Sequence, residues 1–167
     1  KRMVILGIDP GIATVGFGIV ESHRSQCRAI QYGVLSTPAG LPLSRRLTMI
    51  YEDMQELIHT FHPDEMAVEE LFFHTNLTTG ISVAHGRGVI LLAAAQAGLP
   101  IYEYTPMQVK QAVTGYGKAV KKQVQEMTRV MLRLDKVPKP DDTADALAMA
   151  IAHCHCSRSR LQNMPLR

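Results

Sequence analysis

The chain has 167 residues, 46% of them hydrophobic and 5% aromatic, which is enough to bury an aliphatic core without disulfides. We expect one domain over residues 1–158 and a flexible tail over 159–167. With no apolar run long enough to span a membrane, no visible signal peptide and an odd count of three cysteines, we exclude membrane and disulfide-rich secreted classes and expect a cytoplasmic protein. Its formal net charge is +3.

Hydrophobic spacing predicts three strands close together in sequence, and then helices that alternate with strands. The early strands favour an antiparallel meander, because Pro10-Gly11 is a turn signal, and the first helix ends before His62-Pro63. In chain order we expect strands at about 3–9, 15–21 and 28–36, a helix at 43–61, a strand at 65–69, a helix at 76–97, a strand at 100–104, and helices at 106–114, 121–134 and 141–157. This order predicts an α/β protein with a mixed sheet and helices on its faces.

Four carboxylates stand at the ends of otherwise apolar segments. Asp9 and Glu69 each end a short apolar strand, whereas Asp142 and Asp145 lie three residues apart at the start of an apolar helix. Several acids at the edge of one core repel each other unless a cation neutralises them, and Mg²⁺ prefers carboxylate oxygens. The pattern therefore predicts a divalent-metal site of the kind that hydrolyses phosphodiesters.

Each of these acids also has a simpler interpretation. Asp9 fits a turn, Glu69 fits the solvent end of a strand, and Asp142 fits a helix N-terminus, where aspartate is favoured. Asp141 is an alternative to Asp142 as the metal ligand if the last helix begins one residue differently. Three such coincidences would have to occur together, which favours the metal site.

Basic residues cluster between positions 106 and 139, where eight of them are opposed by only two acids. Such a cluster predicts a polyanionic partner such as nucleic acid, although a solvated helix face is the alternative. The eight candidates for nucleic-acid contacts are Lys110, Lys118, Lys121, Lys122, Arg129, Arg133, Lys136 and Lys139.

Three motifs closely resemble those of the RuvC family of bacterial Holliday-junction resolvases. They are Leu6-Gly7-Ile8-Asp9-Pro10-Gly11, Ala67-Val68-Glu69-Glu70-Leu71-Phe72 and Asp142-Thr143-Ala144-Asp145-Ala146-Leu147-Ala148. The resemblance runs from Met3 to about Ser157, with the motifs in order. It implies an RNase H-like fold, with a five-stranded mixed sheet of three antiparallel strands followed by parallel ones. It also implies a homodimer that makes paired incisions in a four-way DNA junction with Mg²⁺ or Mn²⁺.

The same resemblance implies roles for individual residues. The catalytic acids and metal ligands are expected to be Asp9, Glu69, Asp142 and Asp145. Lys110 and Lys121 match positions that contact DNA, with Lys122 as the local alternative to Lys121. Phe72 matches an aromatic that stacks on a base at the junction centre; Phe73 is its alternative, and core packing is the other interpretation of either ring. The implied protein partner is the RuvA–RuvB branch-migration motor.

The helix at 76–97 is apolar over more than one stripe, so we expect it to form the dimer interface; a central core helix of a monomer is the alternative. Its glycines at 80, 86 and 88 predict tight packing against a neighbour. We reject zinc binding by the segment 153–156, because successive helical residues point in different directions. The sequence does not decide whether His74 or His85 contacts the junction.

Three other functions compete with the resolvase. The glycine-rich start is also similar to the phosphate loop of the actin and sugar-kinase superfamily, although that fold needs a duplicated second domain. A related RNase H-like nuclease that processes ribosomal RNA precursors is the second alternative. A junction-binding module without catalysis is the third, but four carboxylates would weaken DNA binding unless a metal neutralised them.

Overall fold

The structure is a computed structural model that describes residues 2–24, 26–71 and 77–157. Within these residues, five strands and five helices follow the predicted order. The strands are β1 (Met3–Asp9), β2 (Thr14–His23), β3 (Gln26–Ser36), β4 (Glu65–Glu69) and β5 (Ile101–Tyr104). The helices are α1 (Leu43–Phe61), α2 (Leu77–Gln96), α3 (Pro106–Thr114), α4 (Lys121–Met131) and α5 (Asp141–Cys156). Phe72, Phe73, His74 and the predicted tail at 159–167 lie outside the described residues.

The strands form one mixed sheet in the order β3-β2-β1-β4-β5, with β1 at its centre. The β1–β2 and β2–β3 pairs are antiparallel, whereas the β1–β4 and β4–β5 pairs are parallel. Helices α1 and α2 provide the crossover connections that parallel neighbours require. The predicted meander followed by parallel strands is therefore confirmed.

Side chains alternate along each strand, and this alternation assigns them to two core layers. On β1, Ile8 packs in the layer with α1 and α2, whereas Ile5 packs in the layer with α3, α4 and α5. On β4, Ala67 also belongs to the layer that contains α5. Asp9 and Glu69 lie an even number of residues from Ile5 and Ala67, respectively, so both point toward α5. The two candidate acids on the sheet therefore share one face.

Glycines on β1 and β2 let α5 approach the sheet backbone to backbone. A Cβ atom on Gly16 would overlap the carbonyl oxygen of Asp142, and one on Gly7 would overlap that of Ala146. The first turn of α5 therefore lies directly against the sheet beside the end of β1. This close packing sets the position from which the two acids of α5 project.

The far end of α5 is tied to the sheet by a buried histidine. His153 is fully buried, with its Nδ1 atom 2.7 Å from the hydroxyl oxygen of Tyr104 and its Nε2 atom 2.5 Å from a carboxylate oxygen of Glu65. The ring of Tyr102 packs against it at a centroid distance of 4.6 Å. Both ring nitrogens of His153 are thus engaged by β4 and β5, which gives this residue a role in anchoring the helix.

Helix α4 ends at Met131, so the predicted end at 134 is wrong. Arg133 has a left-handed backbone with φ of 55°, and the amide of Leu134 donates to the carbonyl of Arg129 at 2.9 Å. The guanidinium of Arg129 in turn donates to the carbonyl oxygen of Leu134 at 3.1 Å. Helical hydrophobic spacing continues to Leu134, and it conceals the turn from the sequence.

Helix α2 is apolar around most of its circumference. By length and composition it passes the test for a helix that could cross a membrane, so the expectation that no apolar run is long enough is wrong; core helices of globular proteins pass the same test. Ile81 and Leu92 are 53% and 51% exposed, and an exposed apolar face of this kind is typical of a protein contact.

The glycines of α2 were predicted to pack tightly against a neighbour. A Cβ on Gly86 would overlap the carbonyl oxygen of Gly11, which confirms the predicted tight packing there. At Gly88 a Cβ would meet nothing within 4 Å in the protomer, so the tight packing expected there stays a prediction for the dimer interface.

Candidate active site

Three of the four predicted acids converge where the end of β1 meets the start of α5. One carboxylate oxygen from each of Asp9, Asp142 and Asp145 lies within 4.8 Å of the other two. Asp142 and Asp145 share a face of α5 because they are three residues apart. Glu69 ends β4 one residue beyond the pair Ile8 and Val68, which places it beside Asp9 on the adjacent parallel strand. The fold therefore brings together acids that are up to 136 positions apart in sequence.

Burial and mutual repulsion make these acids difficult to ionise together. Burial, and then the charges of Asp145 and Glu69, raise the pKa of Asp9 from 3.8 to about 9. The pKa of Glu69 is also raised by burial and by Asp145. Burial raises the pKa of Asp145, although the ammonium of Lys121 opposes this effect. A divalent cation would supply the missing positive charge, and an all-carboxylate donor set suits Mg²⁺, so the residues present fit such an ion.

Asp141 is held outside this cluster by two lysines. Its carboxylate accepts from Lys139 Nζ at 3.0 Å and lies 3.4 Å from Lys121 Nζ. The hydrogen bond from Lys139, followed by the charge of Lys121, lowers the pKa of Asp141. The geometry therefore favours Asp142 over Asp141 as a ligand. The N-cap residue of α5 is Pro140 and the cap has no side-chain hydrogen bond, so neither aspartate is the N-cap.

A cavity of about 250 Å³ opens beside the carboxylates. Its polar lining comes from Asp9, Glu69, Asp145, Lys110 and Lys121, and apolar residues of α3, α4 and α5 complete its wall. Lys121 Nζ is 3.3 Å from Asp145 Oδ2, so one of the predicted DNA-binding cations lies directly against a predicted metal ligand. The cavity therefore has two cations that can bind a phosphate and three acids that can bind a metal, and a phosphodiester-cleaving site requires groups of both kinds.

The remaining predicted contacts lie elsewhere or are not described. Lys122 lines a separate surface groove with Tyr116 and Met127, which separates it from the acids. Lys118 is exposed, and so is His85 on α2. Neither candidate aromatic, Phe72 nor Phe73, is within the described residues, so their stacking role stays a prediction.

Sequence reasoning missed Arg87, whose buried guanidinium contacts the strand that carries Glu69. The Nε–H of Arg87 donates to the backbone carbonyl oxygen of Glu69 at 3.1 Å, and its guanidinium pairs with the carboxylate of Glu103 on β5. A signal was available, because Arg87 is the one residue among Asp, Glu, Lys and Arg in the otherwise uncharged helix α2. A single charge within a long apolar helix indicates a specific partner.

Comparison with known proteins establishes the family. A family model described as "Crossover junction endodeoxyribonuclease RuvC" matches residues 5–153, a span that contains all four acids. The chain belongs to the RuvC family. Among its relatives, the RuvC of Brevibacillus brevis is 65% identical over 145 residues, which cover 87% of this chain and 87% of that protein. The RuvC of Desulfitobacterium hafniense is 56% identical over 146 residues, with 87% and 88% of the two chains covered.

Solved RuvC structures agree with the fold. Thermus thermophilus RuvC matches with a TM-score of 0.89 at 39% identity, covering 98% of this chain and 100% of that one. The same protein in complex with a Holliday-junction substrate gives a TM-score of 0.93 at 39% identity, with 98% and 99% covered. The predicted RuvC resemblance and the RNase H-like mixed sheet are thus confirmed. Membership in this family decides against the sugar-kinase and ribosomal-RNA alternatives.

Proposed function

We propose that this RuvC-family chain is a metal-dependent endodeoxyribonuclease that resolves four-way DNA junctions by paired incisions. The observation that supports this most directly is the cluster of Asp9, Asp142 and Asp145, whose carboxylate oxygens lie within 4.8 Å of one another in a chain that matches the family over residues 5–153. A cluster of acids alone is common on protein surfaces. This one combines partial burial with lysines that line a cavity beside it, which is the arrangement that a phosphodiester substrate needs.

The metal is proposed to be Mg²⁺, with Mn²⁺ able to substitute, held by Asp9, Glu69, Asp142 and Asp145. When bound, such an ion lowers the pKa of a water nucleophile and stabilises the charge that develops on the phosphate. The contribution of the protein is to hold one oxygen from each of Asp9, Asp142 and Asp145 within 4.8 Å of the other two, with Glu69 beside them, and to keep Asp9 protonated until a cation binds. Its pKa of about 9 means that metal binding at neutral pH releases that proton.

The DNA is proposed to contact Lys110 and Lys121 from the cavity side, with Lys118 and Lys122 on the adjoining surface. Lys121 has its ammonium 3.3 Å from Asp145, so a phosphate that it binds would lie within reach of the carboxylates. Cations in this position hold the scissile or flanking phosphate and make affinity depend on salt. Phe72, or its neighbour Phe73, is proposed to stack on an unpaired base at the junction centre.

The active form is proposed to be a homodimer that pairs through the exposed apolar face of α2. A two-fold dimer suits the substrate, because two equivalent sites can cut two equivalent strands. Leu77, Ile81 and Leu92 supply apolar surface on this helix that the protomer leaves exposed. The chain is further proposed to act in the cytoplasm on junctions delivered by the RuvA–RuvB motor.

The test is cleavage of an end-labelled four-way junction beside a linear duplex of matched sequence, in Mg²⁺, in Mn²⁺ and in EDTA. Paired nicks on the junction alone, lost in EDTA, would support the proposal. Asp142→Asn should abolish them while junction binding persists, whereas Asp141→Asn is the matched neighbour that should retain them. Tight junction binding without cutting in either metal would instead favour a binding module, and cutting of RNA or simple duplex would favour a different nuclease specificity.

A further inference from the structure

Arg87 is a largely buried cation that no step of the proposed chemistry uses. Its side chain is only 12% exposed, and burial lowers its pKa even though the charge of Glu70 acts in the opposite direction. A buried guanidinium is retained only where it is paired, because desolvation of an ion is expensive. Arg87 has two partners on two strands: the carbonyl oxygen of Glu69 at 3.1 Å and the carboxylate of Glu103.

We propose that Arg87 is a positioning residue that holds Glu69 in place for metal binding, an inference that rests on the proposed function of the carboxylate cluster. Glu69 is the last residue of β4, and the amide of Glu70 that follows it donates to the carbonyl of Tyr104 on β5 at 2.9 Å. The Glu69 side chain points toward α5, whereas Arg87 on α2 donates a hydrogen bond to the Glu69 backbone carbonyl. The peptide unit after Glu69 is therefore hydrogen-bonded on both sides, at its N–H by β5 and at its carbonyl by Arg87, and this second bond limits the directions in which the Glu69 side chain can leave the strand.

The electrostatics of the site explain why Glu69 needs such a restraint. Glu69 lies beside Asp9 and lines the same cavity as Asp145, so the like charges of these carboxylates repel and a less constrained Glu69 would turn away from the other acids. The Arg87–Glu103 ion pair anchors the restraint to β5, which is itself hydrogen-bonded to β4 in parallel register. The preceding residue, Gly86, packs against the carbonyl of Gly11, two residues after Asp9. One turn of α2 therefore contacts the backbone at the end of β4 and just beyond the end of β1, the two strands that carry site carboxylates.

The experiment measures Mn²⁺ binding without DNA, by calorimetry or by electron paramagnetic resonance, on Arg87→Gln and Arg87→Lys. We expect Arg87→Gln to weaken Mn²⁺ binding by about tenfold or more, in line with other residues that orient metal ligands. Arg87→Lys keeps the charge but cannot span both partners, so we expect a loss of about threefold. Melting temperature in EDTA is recorded for each variant. A purely structural role would lower it without changing the Mn²⁺ affinity of the folded protein.

The Glu69→Gln background separates positioning from other effects. If Arg87 acts through Glu69, Arg87→Gln should weaken Mn²⁺ binding in that background by less than about twofold, because the group that it positions is already impaired. An equal loss in both backgrounds, or unchanged Mn²⁺ affinity in Arg87→Gln, would overturn the proposal. If Arg87→Gln does not fold, Arg87→Lys decides by the same criterion: unchanged affinity overturns the role, and weakened affinity at the parent melting temperature supports it.

Arg129→Gln is the matched control. Arg129 likewise donates to a backbone carbonyl, that of Leu134 at 3.1 Å, and pairs with a carboxylate, that of Glu126, but on α4 and outside the cavity lining. It should leave Mn²⁺ affinity at the parent value. Failure of the parent protein to bind Mn²⁺ at all would refute the proposed metal site and the role of Arg87 with it. Parent binding that Arg87→Gln leaves unchanged would refute the role of Arg87 alone.

Discussion

Replacing Asp9 with asparagine should stabilise the metal-free protein while abolishing its response to Mg²⁺. The pKa of Asp9 is about 9 in the folded protein against 3.8 for an unperturbed aspartate. The fold therefore favours the protonated carboxyl, and this contribution to stability is complete below pH 3.8 and is lost as the pH rises toward 9. Asparagine is uncharged at every pH and keeps an N–H donor for the hydrogen bond to Asp142.

The size of the effect follows from the two pKa values. Each pH unit above 3.8 reduces the stability of the metal-free protein by about 1.4 kcal/mol until the folded-state pKa is reached. The stabilisation by Asp9→Asn is therefore at most about 4 kcal/mol at pH 7 and about 2 kcal/mol at pH 5. For a domain of this size, 4 kcal/mol corresponds to a rise in melting temperature of about 8 °C or more.

The assay is thermal and urea unfolding of parent and Asp9→Asn in EDTA at pH 5 and pH 7, repeated with Mg²⁺. Asp141→Asn is the control, because the hydrogen bond from Lys139 lowers the pKa of that carboxyl and its loss should not stabilise the fold. Destabilisation by Asp9→Asn in EDTA at pH 7, or stabilisation of equal size at both pH values, would refute the reasoning. Either result would mean that Asp9 is not held protonated by its neighbours.

Three further predictions concern packing, DNA contact and proton release. Gly16→Ala should destabilise the fold by about 2 kcal/mol or more in urea unfolding and abolish junction cleavage, because the added Cβ would overlap the first turn of α5. Gly40→Ala is the control and should be tolerated, because a Cβ at Gly40 meets nothing within 4 Å. Lys121→Ala should weaken junction binding and reduce the slope of log affinity against log salt by about 1. Lys122→Ala should lower the cleavage rate less than Lys121→Ala does. Equal losses of cleavage rate in the two variants would mean that the DNA does not contact the cavity side in preference to the adjoining surface. Mn²⁺ affinity should rise between pH 6 and pH 8, because the metal displaces the proton of Asp9, and a flat profile by calorimetry would contradict this.

The positions of the site acids were predictable because each depends on a local period. A strand places every second residue on one face, which is sufficient to put Asp9 and Glu69 on the same side once β1 and β4 are neighbours. A helix places residues three apart on one face, which is sufficient for Asp142 and Asp145. The choice between Asp141 and Asp142 was not predictable. It depends on Lys139 and Lys121, which reach Asp141 through side-chain geometry that no sequence period describes.

The elements of the fold show the same division. Strand β4 and helix α3 have the predicted bounds, because proline, glycine or a charged residue marks each of their ends. The end of α4 was missed because it depends on a left-handed residue, Arg133, and on hydrogen bonds between Arg129 and Leu134. The sequence also did not reveal that α2 is long and apolar enough, by length and composition, to pass the test for a membrane-crossing helix. Its glycines interrupt the apolar run in sequence, but they do not interrupt the helix.

The glycines and Arg87 have a common explanation in the repulsion among the site acids. Acids that repel each other separate unless the backbone that carries them is held rigidly, so the sites of strongest repulsion should have the tightest backbone restraint. Gly16 admits the carbonyl of Asp142 against β2, and Gly86 admits the carbonyl of Gly11 against α2. Arg87 adds a hydrogen bond to the carbonyl of Glu69. Each of these contacts is made to a backbone carbonyl oxygen and leaves the carboxylates themselves available. Restraints on the backbone suit a metal site, because they do not compete with the ion for the carboxylate oxygens, whereas the contact from Lys121 to Asp145 does occupy one of those oxygens.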